Sequence, residues 1–215
     1  MPPTGEYDGV AARTVPGSQA GFTELRGAAE QSWILRAHKE QCAAEHAPCY
    51  RAYLDYSTLF MSCVRDCMTE VEARLGVRPG VTDVMIEMHR ELKGRFETAC
   101  AWGMTDPVPI EEGSIQGAIT SPVQAKLMLS VVQRVVTRTC EGFRFRGSKW
   151  SIPQCWYADD AAYCANSLAG LQLIFDTVWY APLDVWSAAH QLPSTSVLYA
   201  STFARCGRGA RGPRW

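Results

Sequence analysis

Residues 156–164 read Trp-Tyr-Ala-Asp-Asp-Ala-Ala-Tyr-Cys, so that Asp159 and Asp160 stand between two apolar runs. Apolar runs on both sides of a short polar pair predict a β-hairpin with the two acids at its tip. Adjacent carboxylates repel each other, which makes a cation their natural partner. The simpler interpretation of the pair is that aspartate is a common turn former.

Two further patterns lie upstream. Residues 50–56 carry the aromatic, alternating pattern of a strand, and from Ser57 apolar residues recur at helical spacing until Gly76, which places Asp55 at a strand-to-helix junction. Residues 113–122 read Gly-Ser-Ile-Gln-Gly-Ala-Ile-Thr-Ser-Pro. The final Ser-Pro predicts a helix start, because proline at the first helical position loses no hydrogen bond, and an apolar face continues to about Cys140.

The remaining elements alternate in type along the chain. Apolar spacing predicts helices at residues 24–45, 81–92 and 168–178, and short strands at residues 95–99, 142–146, 152–157 and 161–165. Residues 1–18 are rich in glycine, proline and small polar types and are expected to form a loop or a disordered start. Helices interleaved with short, antiparallel strands predict an α+β layer fold.

Taken together, these motifs resemble those of reverse transcriptases. The tetrapeptide Tyr157 to Asp160 resembles the metal-binding motif of that family, and residues 53–60 resemble the motif in which a strand-end aspartate precedes an aromatic residue by five positions. Residues 113–122 resemble the family's G-x-x-Q-G-x-x-x-S-P motif, and residues 19–22, Gln-Ala-Gly-Phe, resemble the Q-x-G-F segment of non-LTR retrotransposon elements. The motifs occur in the family's order, and the resemblance covers about residues 19–179.

The resemblance implies an RNA-directed DNA polymerase, with a palm-like antiparallel sheet packed on helices, partial fingers and no thumb. Asp55, Asp159 and Asp160 would be the catalytic residues and would bind two Mg²⁺ ions, for which Mn²⁺ can substitute. Asp55 and Asp159 are expected to be the main ligands and Asp160 the more peripheral one. Two ions would activate the primer hydroxyl and stabilise the leaving pyrophosphate. The partners would be an RNA template, a DNA primer and dNTPs, with no membrane, and action in the nucleus is typical of the family.

The same resemblance implies three substrate-binding residues. Phe60 would be a steric gate that fills the space of a ribose 2′-hydroxyl, although an ordinary buried helix residue would fit the same spacing. Gln116 and Gly117 would lie beside the nucleotide and the template, since glycine permits a close backbone approach.

The domain prediction has three parts. Residues 1–18 are a loop or disordered start, residues 19–179 a partial palm and fingers domain, and residues 180–215 a divergent tail that is disordered or translated out of frame. Only eighteen residues precede Gln19, where the family places basic triphosphate-binding residues, and no lysine follows Lys149. The alternative hypothesis is therefore a catalytically silent retroelement relic that at most binds nucleic acid. A viral-type RNA polymerase is disfavoured, because Phe60 would obstruct a ribose.

Composition limits the other classes of function. The chain has 215 residues, of which 47% are hydrophobic and 20% charged, which fits one globular domain; its net charge is -1. Its start has no basic region followed by an apolar run, and no stretch approaches eighteen uninterrupted apolar residues, so neither a secretion signal nor a membrane span is expected. Its nine cysteines contain no C-x-x-C pair, so buried, reduced thiols are expected rather than disulfides. The one metal-like cluster in the sequence is Cys42, His46 and Cys49, but no second half-site completes a tetrahedron, and zinc is not favoured there.

Overall fold

The structure is a computed structural model that describes residues 3–55, 63–95, 97, 103–115, 117–180 and 199–202. It contains helices and small antiparallel sheets, which confirms the predicted α+β class. By its internal contacts the chain divides into two compact units, of which the first includes residues 3–15 and 63–128 and the second residues 16–55, 129–180 and 199–202.

The first unit is mainly helical. Its helices are α1 (Pro3–Thr14), α3 (Arg65–Leu75), α4 (Pro79–His89) and the start of α5 (Ser121–Thr139), and its small strands are β2 (Lys93–Gly94) and β3 (Val108–Pro109). Residues 129–139 of α5 belong to the second unit. As the sequence predicts, α5 begins at Ser121-Pro122.

The second unit is built on a four-stranded antiparallel sheet. Its helices are α2 (Ala28–Ala44) and α6 (Leu168–Tyr180), and its strands are β1 (Tyr50–Leu54), β4 (Phe143–Arg144), β5 (Ser151–Ile152), β6 (Gln154–Tyr157), β7 (Asp160–Ala165) and β8 (Tyr199–Thr202). The strand order in the large sheet is β6-β7-β1-β8, and β4 pairs separately with β5. Trp156, Tyr163 and Ile174 are fully buried in this unit.

The prediction that residues 1–18 form a loop is wrong for most of that range. Residues 3–14 form α1, and Tyr7, Val10 and Ala11 are buried against a cluster that includes Val77 and Leu127. The sequence does not predict this helix clearly, because Pro3, Gly5 and Gly9 are typical of loops and the apolar residues at helical spacing are few. Tertiary packing of one apolar stripe stabilises the helix in spite of its weak local propensity.

Three other boundaries differ from the prediction. The helix predicted from residue 24 begins at Ala28, after an extended Gly27. The helix predicted from Ser57 is not continuous, because Val64 is extended and α3 begins at Arg65. The strand predicted at residues 152–157 is interrupted at Pro153, which has no N–H to donate to a strand ladder.

Some predictions fall on residues that the structure does not describe. These are residues 56–62, most of the strand predicted at residues 95–99, and the predicted tail apart from residues 180 and 199–202. Within the tail, residues 199–202 form β8, which pairs antiparallel with β1. No helix in the described part of the chain is long and apolar enough to cross a membrane.

Candidate active site

The predicted acidic hairpin is present. Strands β6 and β7 pair antiparallel with Tyr157 opposite Asp160, so that Ala158 and Asp159 form a two-residue turn. Strand β1 pairs with the other edge of β7, and Leu54 lies opposite Ala161. Asp55 directly follows Leu54, and one further step of this antiparallel register places it beside Asp160. Two separate parts of the sequence thus bring three carboxylates to one end of the sheet.

The three acids interact electrostatically. Asp160 is exposed to solvent, yet its pKa is raised, first by partial desolvation of its carboxyl and then by the negative charges of Asp159 and Asp55. Crowded carboxylates favour protonation or a bound cation, since either one relieves the repulsion. Oxygen ligands of this kind suit Mg²⁺ and Mn²⁺, so the donor set fits the ions that the sequence predicts.

A cleft of about 550 Å³ opens beside these acids within the second unit. Asp55 and Asp160 lie in its wall together with Tyr53 and Tyr157, whose side chains are about two-fifths exposed. Gln31 also lines the cleft, and although it is buried its amide makes no hydrogen bond to any residue in the described ranges. The cleft thus combines carboxylates, aromatic faces and one amide with free hydrogen-bonding capacity.

The turn that carries Asp159 is held by Gln19. The Gln19 amide nitrogen donates to the Ala158 carbonyl at 2.9 Å, and its amide oxygen accepts hydrogen bonds from the N–H groups of Ala158 at 3.0 Å and Gly21 at 2.8 Å. Ala158 has a φ of 56°, which is unusual for a residue with a Cβ atom. Gln19 is almost completely buried, so its three hydrogen bonds fix this left-handed turn without competition from water.

Gly21 permits the close approach between the two segments. A Cβ atom at this position would lie 2.0 Å from the backbone nitrogen of Ala158 and 2.7 Å from its Cα atom. The backbone also bonds directly here, since Ala20 donates to the Trp156 carbonyl at 2.9 Å and Trp156 donates to the Ser18 carbonyl at 2.8 Å. The Q-x-G segment therefore braces the acidic turn. The sequence motif indicated a functional segment but not this contact.

The predicted substrate-binding residues have different outcomes. Phe60 and Gln116 lie outside the described residues. Gly117 belongs to the first unit, is exposed and has a φ of 91°, in the left-handed region that favours glycine. No described contact joins Gly117 to a substrate-binding surface, and its predicted role stays a prediction.

The loop that contains Gly117 is fixed by a chain of buried side chains in the first unit. Ser114 donates to Ser121 at 2.6 Å, and Ser121 donates to the Ile115 carbonyl at 2.5 Å, which closes the loop at the start of α5. From this point Gln124 donates to the Glu72 carboxyl at 2.9 Å, and Tyr7 donates to its other oxygen at 2.8 Å. Burial raises the pKa of Glu72, against the effect of these two hydrogen bonds.

The cysteines are arranged differently from the prediction. In the described part of the chain, Cys42, Cys49, Cys63, Cys67, Cys140, Cys155 and Cys164 are buried free thiols, as the sequence predicts. However, the histidine beside Cys42 and Cys49 is His38, which precedes Cys42 by one helical turn. His46 is exposed beyond the end of α2, with a φ of 52°. Burial, and then the charge of Arg51, lower the pKa of His38 to about 4, so its imidazole is neutral at pH 7.

Comparisons with known proteins identify the fold but not the family. No protein family model matches the sequence, and no curated protein matches it either. The fold is similar to that of apo telomerase from Candida tropicalis truncated from its C-terminal domain, with a TM-score of 0.57, 9% identity and coverage of 95% of this chain and 40% of that one. Two telomerases in complex with the TWJ fragment of telomeric RNA are also similar. The telomerase from Candida tropicalis has a TM-score of 0.60 and 10% identity, and the match covers 93% of this chain and 33% of that one. The telomerase from Candida albicans has a TM-score of 0.54 and 6% identity, and the match covers 97% of this chain and 34% of that one.

Telomerase is a reverse transcriptase, so this chain has a reverse-transcriptase-like fold, and its sheet and helices fit a palm. At 6–10% identity the likeness concerns the fold alone. The chain spans between a third and two-fifths of the length of these telomerases.

Proposed function

We propose that this chain is the palm region of an RNA-directed DNA polymerase of the non-LTR retrotransposon type. The observation that carries the proposal is the meeting of Asp55, from the end of β1, with Asp159 and Asp160, from the β6–β7 turn. A reverse-transcriptase-like fold around these acids supports it. The type of element is proposed from the Q-x-G-F segment, whose Gln19 and Gly21 hold the acidic turn.

In this proposal, Asp55, Asp159 and Asp160 hold two Mg²⁺ ions. When bound, the ions would supply the positive charge that activates a primer 3′-hydroxyl and stabilises the leaving pyrophosphate. The residues of the chain keep the carboxylates together, because the sheet register fixes Asp55 and Asp160 while Gln19 fixes the turn of Asp159. A nucleotide or a primer end occupies the adjacent cleft, where Tyr53 and Tyr157 offer aromatic faces and Gln31 offers an amide.

Nucleic acid and dNTPs are the proposed partners. Two of the similar telomerases are in complexes with RNA, which supports an RNA-binding role for this fold. The second candidate function is a silent relic that binds nucleic acid without extending a primer.

Primer extension tests the proposal. The full chain is incubated with a DNA primer on an RNA template, dNTPs and Mg²⁺, and the products are separated by length. We expect slow extension, and Asp159→Asn should reduce it by about a hundredfold or more, because one charged oxygen ligand is lost while the shape of the side chain is kept. The matched control is Asp176→Asn, an exposed acid on α6 in the same unit, which should extend the primer at the unsubstituted rate.

Binding of Mn²⁺ separates the two candidate functions. A polymerase palm should bind Mn²⁺ at the acid cluster, as measured by electron paramagnetic resonance, and should lose this binding in Asp159→Asn. If the chain binds an RNA–DNA duplex but neither extends the primer nor binds Mn²⁺, the silent relic is favoured. Equal extension by the unsubstituted chain and by Asp159→Asn would refute the catalytic role of the acids.

A further inference from the structure

The second unit contains a buried group of one histidine and two cysteines, whose side chains differ in chemistry from the carboxylates of the acid cluster. His38 and Cys42 lie one turn apart on α2, and Cys49 immediately precedes β1. All three side chains are at least 95% buried. One donor atom from each residue lies within 4.8 Å of the donor atoms of the other two. Imidazole and thiolate are the ligands of tetrahedral zinc sites, whereas Mg²⁺ prefers the carboxylates of the hairpin.

The distances suit a single ion. Zinc lies about 2.3 Å from sulfur and about 2.0 Å from nitrogen, so a tetrahedral ion holds a sulfur and a nitrogen ligand about 3.6 Å apart. The Cys49 sulfur lies 3.7 Å from His38 Nε2. The Cys42 sulfur needs only a small shift, because two sulfur ligands of one tetrahedral ion lie about 3.8 Å apart.

Electrostatics also point to an anionic group at this place. Arg51 is 7% exposed, and its hydrogen bonds go to two neutral groups, His38 Nδ1 and the Leu35 carbonyl. No carboxylate among the described residues forms an ion pair with it. A buried guanidinium stabilises thiolates placed nearby, and a divalent ion with three thiolates and a neutral imidazole carries one negative charge that would balance Arg51.

A fourth sulfur lies in the same packed cluster, although it is more than 4.8 Å from at least one donor atom of the other three residues. Cys164 is buried with Cys42 and Cys49 against Phe143, and its thiol interacts electrostatically with both of theirs and with Arg51. Cys164 lies on β7 opposite Arg51 of β1, so the sheet register fixes its place beside the group. The sequence cannot indicate this half-site by spacing, because Cys164 is far from Cys49 along the chain.

We propose that His38, Cys42 and Cys49 form the core of a structural site for a soft divalent cation of the zinc class, which Cys164 completes when its side chain moves toward the ion. A bound ion would link α2 to the residue before β1 and to β7, while Asp55 directly follows β1 and Asp160 begins β7. On binding, the thiol protons leave to solvent and the ion takes the position between His38 Nε2 and the Cys49 sulfur. Nε2 can bind the ion only without its proton, so the imidazole changes to the tautomer protonated at Nδ1 as the ion binds. Arg51 Nε then loses its acceptor on His38, while its other bond to the Leu35 carbonyl is kept.

The test uses the full reduced chain and Co²⁺ as the probe, because tetrahedral thiolate-bound Co²⁺ has intense visible and charge-transfer absorption bands. We expect one equivalent of Co²⁺ to produce these bands and Zn²⁺ to displace it. Cys42→Ser and Cys49→Ser should each weaken Co²⁺ binding by about tenfold to a hundredfold or more. Binding should be unchanged in two matched controls, Cys140→Ser, a buried thiol outside the cluster, and His46→Gln, the exposed histidine after α2.

A second measurement uses the unsubstituted chain, so its result does not depend on whether the cysteine variants fold. X-ray absorption at the zinc edge should show sulfur ligands at about 2.3 Å and a nitrogen ligand at about 2.0 Å. The proposal is overturned if the reduced chain gives no thiolate-bound Co²⁺ spectrum, if the zinc-loaded chain shows only oxygen and nitrogen ligands, or if Cys140→Ser weakens binding as much as Cys42→Ser. None of these outcomes depends on polymerase activity, so this proposal and the proposed function can fail separately.

Discussion

The turn at Ala158 and Asp159 and the loop at residues 113–121 each carry a sequence motif, but different kinds of side chain hold them. In the second unit, one neutral amide, Gln19, makes three hydrogen bonds to backbone groups at the acidic turn. In the first unit, Ser114 donates to Ser121 and to Gln124, and Gln124 donates in turn to the buried carboxyl of Glu72.

The difference has a physical reason. A charged brace beside the three aspartates would change the charge available to a cation, whereas a neutral amide fixes the turn and leaves that charge alone. The loop of the first unit carries no predicted cation site, so the ionisable carboxyl of Glu72 can end its chain of hydrogen bonds. We therefore expect the brace of the acidic turn to depend on shape and hydrogen bonding, and the brace of the other loop to depend on pH as well.

The largest effect is expected from Gly21→Ala, which adds a methyl group at the closest contact of the acidic turn. The new Cβ atom would lie 2.0 Å from the Ala158 nitrogen, and backbone cannot move aside as a flexible side chain can. We expect a loss of about 3 kcal/mol or more in the free energy of unfolding, measured with urea, together with loss of primer extension. The control is Gly17→Ala, where no atom lies within 4 Å of the added methyl group. Equal stability of the two variants would show that the close approach is not needed.

A somewhat smaller effect is expected from Gln19→Leu, which keeps the volume of the brace and removes its hydrogen bonds. Two N–H groups and one carbonyl would lose their partner, at a cost of about 2–3 kcal/mol in unfolding free energy. Gln19→Glu should retain part of the stability, because a carboxylate still accepts both N–H bonds but cannot donate to the Ala158 carbonyl. Gln172→Leu, an exposed position on α6, is the control, and a Gln19→Leu variant as stable as this control would refute the brace.

In the other unit, Tyr7→Phe removes the hydroxyl that donates to Glu72 at 2.8 Å. We expect a loss of about 1.5–2 kcal/mol in the free energy of unfolding, because a buried carboxyl loses one of its two donors. Thermal unfolding measures the change, and Tyr53→Phe, whose side chain is 40% exposed, provides the comparison at an exposed position. If both substitutions cost the same, the hydroxyl of Tyr7 has no special role in bracing the loop.

The smallest effect concerns pH. Burial raises the pKa of Glu72 above its ordinary value of 4.5, so the folded chain keeps this proton to a higher pH than the unfolded chain. Its contribution to stability is therefore present below the unfolded pKa and is lost as the pH rises through the folded pKa. As the pH rises from the unfolded pKa through the higher folded pKa, the unfolding free energy of Glu72→Gln should improve relative to that of the unsubstituted chain.

The control for this pH dependence is Glu70→Gln on the same helix. Glu70 is exposed and pairs with Arg74 at the surface, where ion pairs contribute little. Its unfolding free energy relative to the unsubstituted chain should stay nearly constant over the same pH range. A relative stability of Glu72→Gln that is flat or falls with pH would contradict the assigned shift.

Much of the fold can be predicted because it depends on local patterns. The apolar runs around Asp159 and Asp160 predicted the β6–β7 hairpin, and Ser121-Pro122 predicted the start of α5. Such elements follow from side-chain periodicity and backbone restrictions that act over a few residues. Helix α1 was missed, because its stability comes from Tyr7, Val10 and Ala11 packing on residues far along the chain.

The sequence by itself determined the α+β class, the acids at the hairpin tip and the order of the motifs, all of which depend on neighbouring residues. Only the tertiary structure decided that Gln19 bonds to Ala158, 139 positions away, and that His38 rather than His46 lies beside Cys42 and Cys49. The physical reason is that spacing along a chain fixes which residues share a helix face or a strand face. Which faces then meet depends on packing and sheet register among distant segments.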